Sequence, residues 1–383
     1  MSKTTITLFF TYGVSLKTWA ESGLLQREIR LYHELMRLYK IQVQFLTFGD
    51  ETDRNWEAEL RGIKLLPIYE KIWRPSSKIL SLLQTMLVPW VYRHEFRQSD
   101  ILKTNQVWGG WVAVLTKWLF RKPLLVRCGY DFYDFSRKQK RSKFFQYFAY
   151  WISWLVYNNA DLINVATVLD QSEVETKFKI DKALIELRPN WIDTELFKPL
   201  SKKKNDRVLF VGRLNEQKNI PLLLESLQST GIMLDLVGDG ELCDSLEKMA
   251  MEKEVKINLL GNIPNDLMPE LYNCYPVYVL CSRYEGNPKT LLEAMACGCA
   301  VVGTNVDGLR EIIRHRETGL LVSEVVSSLR MAIQLLIKDE DLRRQLGGQS
   351  CKYIKTHNSL RTAIKKEYNS YQKLCVPNSI HNR

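Results

Sequence analysis

Two short segments of this chain hold charged side chains in positions where chemistry is possible. In VGRLNEQKN (residues 211–219) an apolar run ends at Val211, Gly212 lets the backbone turn tightly, and Arg213 and Lys218 follow. Two fixed cations, together with the free N–H groups ahead of a helix, suit a diphosphate. The same residues also fit a solvated turn with two surface cations. In SRYEGNPKTLLEAMACG (residues 282–298), Glu285 stands in a loop held by Gly286, Asn287 and Pro288. Lys289 and Thr290 then begin a helix that carries Glu293. A helix N-terminus offers unpaired N–H groups and about half a positive elementary charge, which favours phosphate oxygens. An ionised Glu285 accepts two hydroxyl hydrogen bonds at once, and Glu293 suits a vicinal diol such as that of a ribose. The competing reading makes Glu285 a helix-end charge and pairs Glu293 with a lysine.

The elements that must position these loops follow from the apolar pattern. In the second half, residues 207–211, 233–237, 256–260, 277–281 and 300–304 are short apolar strands, each followed by Gly, Pro, Asn or Asp, with helical patterns between them. Alternation at this spacing predicts a parallel sheet covered on both faces, with ligands bound beyond the C-terminal strand ends. The first half repeats the scheme with strands at 6–10, 41–48, 100–104, 123–128 and 161–166, and helices over 22–39, 76–92, 110–120 and 141–158. The expected architecture is α/β, with two doubly wound, Rossmann-like domains facing each other across a cleft. Residues 1–190 form the first and 207–358 the second. The Pro- and Lys-rich stretch 191–206 reads as a linker, and a helix over about 360–375 is expected to pack back on the first domain. This pattern by itself leaves dehydrogenases, kinases, binding proteins and glycosyltransferases open.

Six blocks in order narrow it. PNWIDTELFKP (189–199), VGRLNEQKN (211–219), LVGDGEL (236–242), LLGNIP (259–264), the Glu285-x7-Glu293 segment and TNVDGLREIIRHRETGLLV (304–322) resemble family 4 glycosyltransferases of the GT-B fold (glycosyl transferases group 1). The likeness is dense over about 160–340 and thinner before that, where it rests on the TYGVSLKTW loop (11–19) and the strand order.

The resemblance implies that Arg213 and Lys218, with Gly212, hold a donor diphosphate, and that Glu293 binds the ribose. Glu285 contacts the transferred sugar, with the backbone of Gly286, Asn287, Pro288, Lys289 and Thr290 nearby. Asn262 and Ile263 lie where the family holds the nucleotide base, and Gly13 matches a glycine turn that closes over phosphates. It further implies a hexosyltransferase that moves sugar from a nucleotide-diphosphate donor with retention of configuration, without a metal or other cofactor. No D-x-D stands in a loop between strands, so Arg, Lys and a helix dipole must offset the charge of the leaving diphosphate. Many relatives carry a His near the sugar. Here the matching stretch, LLVRCGYDF (124–132), has none, and Arg127, Tyr130 and Asp131 remain as candidates for that neighbourhood. Asp131 also reads as a helix cap.

A subunit that binds a sugar nucleotide and regulates a partner transferase fits the same cations, and it predicts that Glu285→Gln leaves transfer intact. A nicotinamide oxidoreductase lacks its fingerprint, since no G-x-G-x-x-G follows the first strand.

Composition adds a location. The 383 residues include 54 Lys or Arg and 43 Asp or Glu, a formal +11. Residues 71–143 hold 15 basic and 4 acidic side chains, which accounts for the whole surplus. Seven of the ten tryptophans (73, 90, 108, 111, 118, 151 and 154) overlap this region. Such a mixture suits an anionic membrane surface, while bulky packing in the core and a solvated basic face are the alternatives. No nucleic-acid motif accompanies the charge. Residues 144–160 are 17 positions without a charge, at the short limit for a span and interrupted by polar residues, so no transmembrane helix is expected. The N-terminus shows no signal peptide, and eight cysteines without a C-x-x-C pair read as reduced thiols. The expected setting is cytoplasmic, at the inner face of the membrane, with a glycan or lipid-linked acceptor of the kind used in polysaccharide synthesis.

Overall fold

A computed structural model describes residues 3–129, 131–202 and 205–375. The chain divides into two compact units, Met1–Arg188 with Ala363–Arg383, and Pro189–Thr362.

The first unit is built on β1 (Thr5–Phe9), β2 (Gln42–Thr47), β3 (Lys64–Pro67), β4 (Ile101–Thr104), β5 (Leu124–Cys128), β6 (Leu162–Val165) and β7 (Ile185–Leu187), in the order β3-β2-β1-β4-β5-β6-β7. The second holds β8 (Val208–Val211), β9 (Leu234–Val237), β10 (Ile257–Leu259), β11 (Val277–Leu280), β12 (Ala300–Thr304) and β13 (Leu320–Val322), in the order β10-β9-β8-β11-β12-β13. Every pairing in both sheets is parallel. In each sheet the order reverses once, between β1 and β4 and between β8 and β11, and loops leaving such neighbours diverge to opposite faces and open a crevice.

The apolar runs of the sequence match the interior strands, and the edge strand β10, to within a residue or two. Three strands escaped that reading, β3, β7 and β13, and all three lie at sheet edges. Edge strands pair on one side only and are short, so they need no continuous apolar run; β7 and β13 each have just one buried residue in three. The expected single helix over 76–92 is instead broken into short turns, Lys78–Gln84, Thr85–Leu87 and Val88–Val91, with Pro89 near the start of the last.

Residues 191–206 are not a free linker. They belong to the second unit, where Ile192 and Phe197 are buried in the core among Val208, Leu209 and the helix Lys289–Ala296. The C-terminal helix Leu360–Cys375 returns to the first unit, where Tyr368 stacks on Tyr39 with ring centroids 3.6 Å apart. Lys103 of β4, an interior strand, forms a buried ion pair with Glu367 of that helix, and the Tyr371 hydroxyl donates to the same carboxylate at 2.7 Å.

Asp131 is a cap. Its carboxylate accepts from the Asp134 N–H at 2.7 Å at the start of the helix Phe132–Lys138, and from the Tyr157 hydroxyl at 3.1 Å. Burial raises its pKa. Arg127 lies half-buried within β5, and Tyr130 falls outside the described residues. Four of the cysteines are buried, Cys128, Cys281, Cys297 and Cys299. No described helix is long and apolar enough to cross a membrane.

Candidate functional site

The two loops singled out from the sequence leave β8 and β11, the neighbours that flank the reversal of strand order in the second sheet. Their charged side chains meet there. The Lys218 ammonium pairs with Oε1 of Glu285, which also accepts from the Ser282 hydroxyl at 2.6 Å. Both partners are largely shielded from solvent, their side chains 12% and 6% exposed. Oε1 of Glu285 is thus anchored twice, and among the described residues no hydrogen bond reaches Oε2.

The two loops are stitched along their backbones as well. The Arg283 N–H donates to the Gln217 carbonyl at 2.9 Å, and the Gln217 side-chain amide returns a bond of 3.0 Å to the Tyr284 carbonyl. Thr304, at the end of β12, donates from its hydroxyl to the Ser282 carbonyl at 2.6 Å. Arg213 is exposed beside this cluster in sequence, and its side chain makes no hydrogen bond or ion pair among the described residues.

Glycine is required at two approaches. Gly238, at φ +126°, would carry a Cβ 2.1 Å from the Gly212 carbonyl oxygen, and a Cβ on Gly308 would stand 2.0 Å from the Gly286 carbonyl oxygen. The loops after β8, β9 and β10 are thereby drawn to one edge, through Gly212 N–H to the Val237 carbonyl at 2.9 Å and Gly238 N–H to the Gly261 carbonyl at 2.8 Å. Asn262 and Ile263 follow on that edge, the first exposed and the second half-buried against the core.

Beyond Glu285, the backbone of Gly286 and Asn287 runs to Pro288, which caps the helix Lys289–Ala296. Asn190 fixes that turn reciprocally: its N–H donates to Oδ1 of Asn287 at 3.0 Å and its amide to the Asn287 carbonyl at 2.5 Å. The Lys289 ammonium lies over the Trp191 ring at 5.2 Å, and Thr290 accepts from the Tyr278 hydroxyl at 3.0 Å. Glu293 is 2% exposed on the inner face of the helix and accepts from the Tyr272 hydroxyl at 3.0 Å. Burial, with the Glu293 charge beside it, pushes the Tyr272 phenol well above its ordinary range, so it stays a donor.

Gly13 lies in the first unit, exposed at φ +80° in the turn after β1, where the Val14 N–H donates to the Thr11 carbonyl at 2.9 Å. Sequence reasoning missed Asn190, Gln217, Ser282 and the contact made by Gly308. The glycines were visible inside quoted motifs, but the carbonyls they face were not; the three polar residues carry no signal beyond ordinary loop composition. Among the described residues, no group of three or more His, Cys, Asp or Glu is placed to hold a metal ion.

The family model of glycosyl transferases group 1 matches residues 192–352, the stretch that contains every residue of the second-unit site except Asn190 and Trp191. An alpha-1,4-N-acetyl-D-galactosaminyltransferase of Campylobacter jejuni, named for a diNAcBac-PP-undecaprenol acceptor, is 29% identical over 51% of this chain and 56% of its own. An N-acetyl-alpha-D-glucosaminyl L-malate synthase of Bacillus anthracis is 32% identical over 41% of this chain and 43% of its own. The chain thus spans about half the length of the curated relatives it matches. In fold it resembles a glycosyltransferase from Rickettsia africae, with TM-score 0.77, 16% identity and coverage of 99% of this chain and 100% of that one. Anabaena HepE, crystallised with UDP, gives TM-score 0.77 and 16% identity over 96% of this chain and 100% of its own. The fold is the GT-B fold of these structures.

Proposed function

We propose, from the premise that residues 192–352 are a glycosyl transferases group 1 domain in a chain of the GT-B fold, that the protein moves a hexose from a nucleotide-diphosphate donor to an acceptor hydroxyl with retention of configuration. The observation that carries this reading is the meeting of Lys218 and Glu285 beyond β8 and β11, with Arg213 on the same loop as Lys218.

The roles follow from charge. Arg213, Lys218 and the N-terminal N–H groups of the helix Lys289–Ala296 stabilise the negative charge that grows on the leaving diphosphate as the anomeric C–O bond breaks. The acceptor oxygen forms its bond to the anomeric carbon from the same face, and its proton passes to a phosphate oxygen of the leaving group. No protein base and no metal is required. Glu285, held through Oε1 by Ser282, presents Oε2 to the hydroxyls of the sugar. Glu293 takes the ribose diol, and the loop at Asn262 and Ile263 takes the base. The backbone of Gly286 through Thr290 lines the sugar.

The Campylobacter relative is named for a polyprenyl-diphosphate-linked acceptor, and the basic, Trp-rich region of this chain suits the same class. We therefore read the acceptor as a glycan or lipid-linked glycan at the inner face of the membrane, in synthesis of a surface polysaccharide or glycolipid. A panel of UDP- and GDP-sugars tests the reading by thermal shift and by donor hydrolysis, and NMR of the product reports its anomeric configuration. An inverted product removes the retaining mechanism, and absence of any shift or hydrolysis across the panel removes the donor class.

A further inference from the structure

The helix Lys143–Asn158 is apolar on two opposite faces, and only one of them is used. Ala149, Ser153, Val156 and Tyr157 face inward. Phe144, Tyr147, Trp151 and Trp154 recur at spacings of three and four and face outward, Phe144 being 85% exposed. A helix that is apolar all round is ordinarily buried all round, so the outer stripe is waiting for a cover.

Its neighbours present the same kind of surface. The helix Gly110–Phe120 packs against Lys143–Asn158 on one side and against the turns Thr85–Leu87 and Val88–Val91 on the other. Its end exposes Trp118 and Leu119, and the preceding turns expose Ile79, Leu83, Leu87 and Trp90, with Ile79 at 74%. Trp73 is 72% exposed just upstream. Core packing accounts for Trp111, which is buried, and for Trp108, which stacks on Phe132 at 4.7 Å, but for none of these five exposed tryptophans.

Cations frame the layer. Arg93, Arg97 and Arg121 are exposed near it, and Lys140, Arg141 and Lys143 stand exposed directly before the aromatic stripe. None of these six has a carboxylate partner within ion-pairing distance among the described residues. Aromatic rings and aliphatic side chains flanked by unpaired cations match the boundary of an anionic bilayer, where rings settle among headgroups and Lys or Arg meet phosphates.

We propose that this face of the first unit, with the outer stripe of Lys143–Asn158 at its centre, docks on an anionic phospholipid surface. It supplies a location for the lipid-linked acceptor and rests on the transferase reading for that purpose only, because docking is read without donor or transfer.

The test uses the purified 383-residue chain with vesicles of phosphatidylcholine alone or mixed with phosphatidylglycerol. Binding is expected to the mixed vesicles only and to weaken as salt rises. The triple substitution Lys140→Gln/Arg141→Gln/Lys143→Gln is expected to lower partitioning by roughly a hundredfold, and Phe144→Ser/Trp151→Ser by at least about tenfold, each with an unchanged melting temperature. Equal binding to both vesicle types, or variants that bind as the parent does, overturns the proposal. So does a self-association that the aromatic variant abolishes in sedimentation while vesicles are ignored, since the face then belongs to a second copy. Loss of transfer with vesicle binding intact, or the reverse, separates a failure of the site from a failure of the surface.

Discussion

Lys218 and Glu285 stand 67 residues apart in the chain and form one shielded ion pair, with a single oxygen of Glu285 accepting from both Lys218 and Ser282. A diphosphate that engages Lys218 as proposed competes with Glu285 for that cation.

This competition gives opposite signs for binding and turnover. Glu285→Gln frees Lys218, so affinity for a nucleoside diphosphate lacking the sugar rises by about threefold to tenfold in calorimetry. Transfer falls by at least about a hundredfold. Unchanged transfer returns the site to a regulatory subunit without catalysis.

Arg213→Ala and Lys218→Ala both weaken the diphosphate, but they differ in background. Lys218→Ala also leaves Glu285 shielded without its cation and lowers the melting temperature, whereas Arg213 is exposed and its loss leaves stability unchanged within about 0.5 kcal/mol. Thermal unfolding with and without nucleotide separates the two.

Glu293 is assigned to the ribose, yet it lies 2% exposed against Tyr272. If it meets the diol, Glu293→Gln weakens a nucleoside diphosphate by about tenfold and leaves inorganic pyrophosphate binding as it was. Equal weakening of both ligands makes Glu293 a support for the helix alone.

Gly308 approaches the Gly286 carbonyl so closely that Gly308→Ala must displace the Glu285 loop. The expected cost is about 1–3 kcal/mol of stability, with kcat falling more than KM rises, because a displaced carboxylate still leaves the diphosphate cations in place.

In the first unit, burial opposes ionisation of Glu367, and the Lys103 ammonium with the Tyr371 hydroxyl outweighs it, so its pKa falls below the ordinary 4.5. A depressed carboxylate contributes stability that is present above its unfolded value and is lost as pH falls through the folded one. Glu367→Gln should therefore cost about 3–5 kcal/mol near neutrality, and the gap to the parent should close only below about pH 4. The double change Lys103→Met/Glu367→Leu should restore most of the loss, since neither member then leaves a buried charge alone. Urea unfolding across pH reads all three variants.

Much of this site was legible in sequence because a parallel sheet buried on both faces writes its interior strands as local apolar runs, each ended by a glycine or polar turn. VLFV before Gly212 and VYVL before the Glu285 loop are of that kind. The likeness of six ordered blocks then gave Arg213, Lys218, Glu285 and Glu293 their expected roles. The edge strands β7 and β13 were not legible, because partial exposure leaves one buried residue in three, and β3 is a four-residue strand ended by Pro67. Nor was the fate of 191–206, whose prolines and lysines look like a linker while Ile192 and Phe197 anchor it in a core.

The sequence by itself determined which loops carry Arg213, Lys218, Glu285 and Glu293, and it located the whole net charge in residues 71–143. Only the tertiary structure decided that β8 lies beside β11, which turns two separate charged loops into one ion pair. It alone decided which aromatic face of Lys143–Asn158 is buried and which is bare. The reason is the same in both cases: spacing along a chain fixes which side chains share a strand end or a helix face, but the partner of that end or face comes from another part of the chain, chosen by strand order and packing.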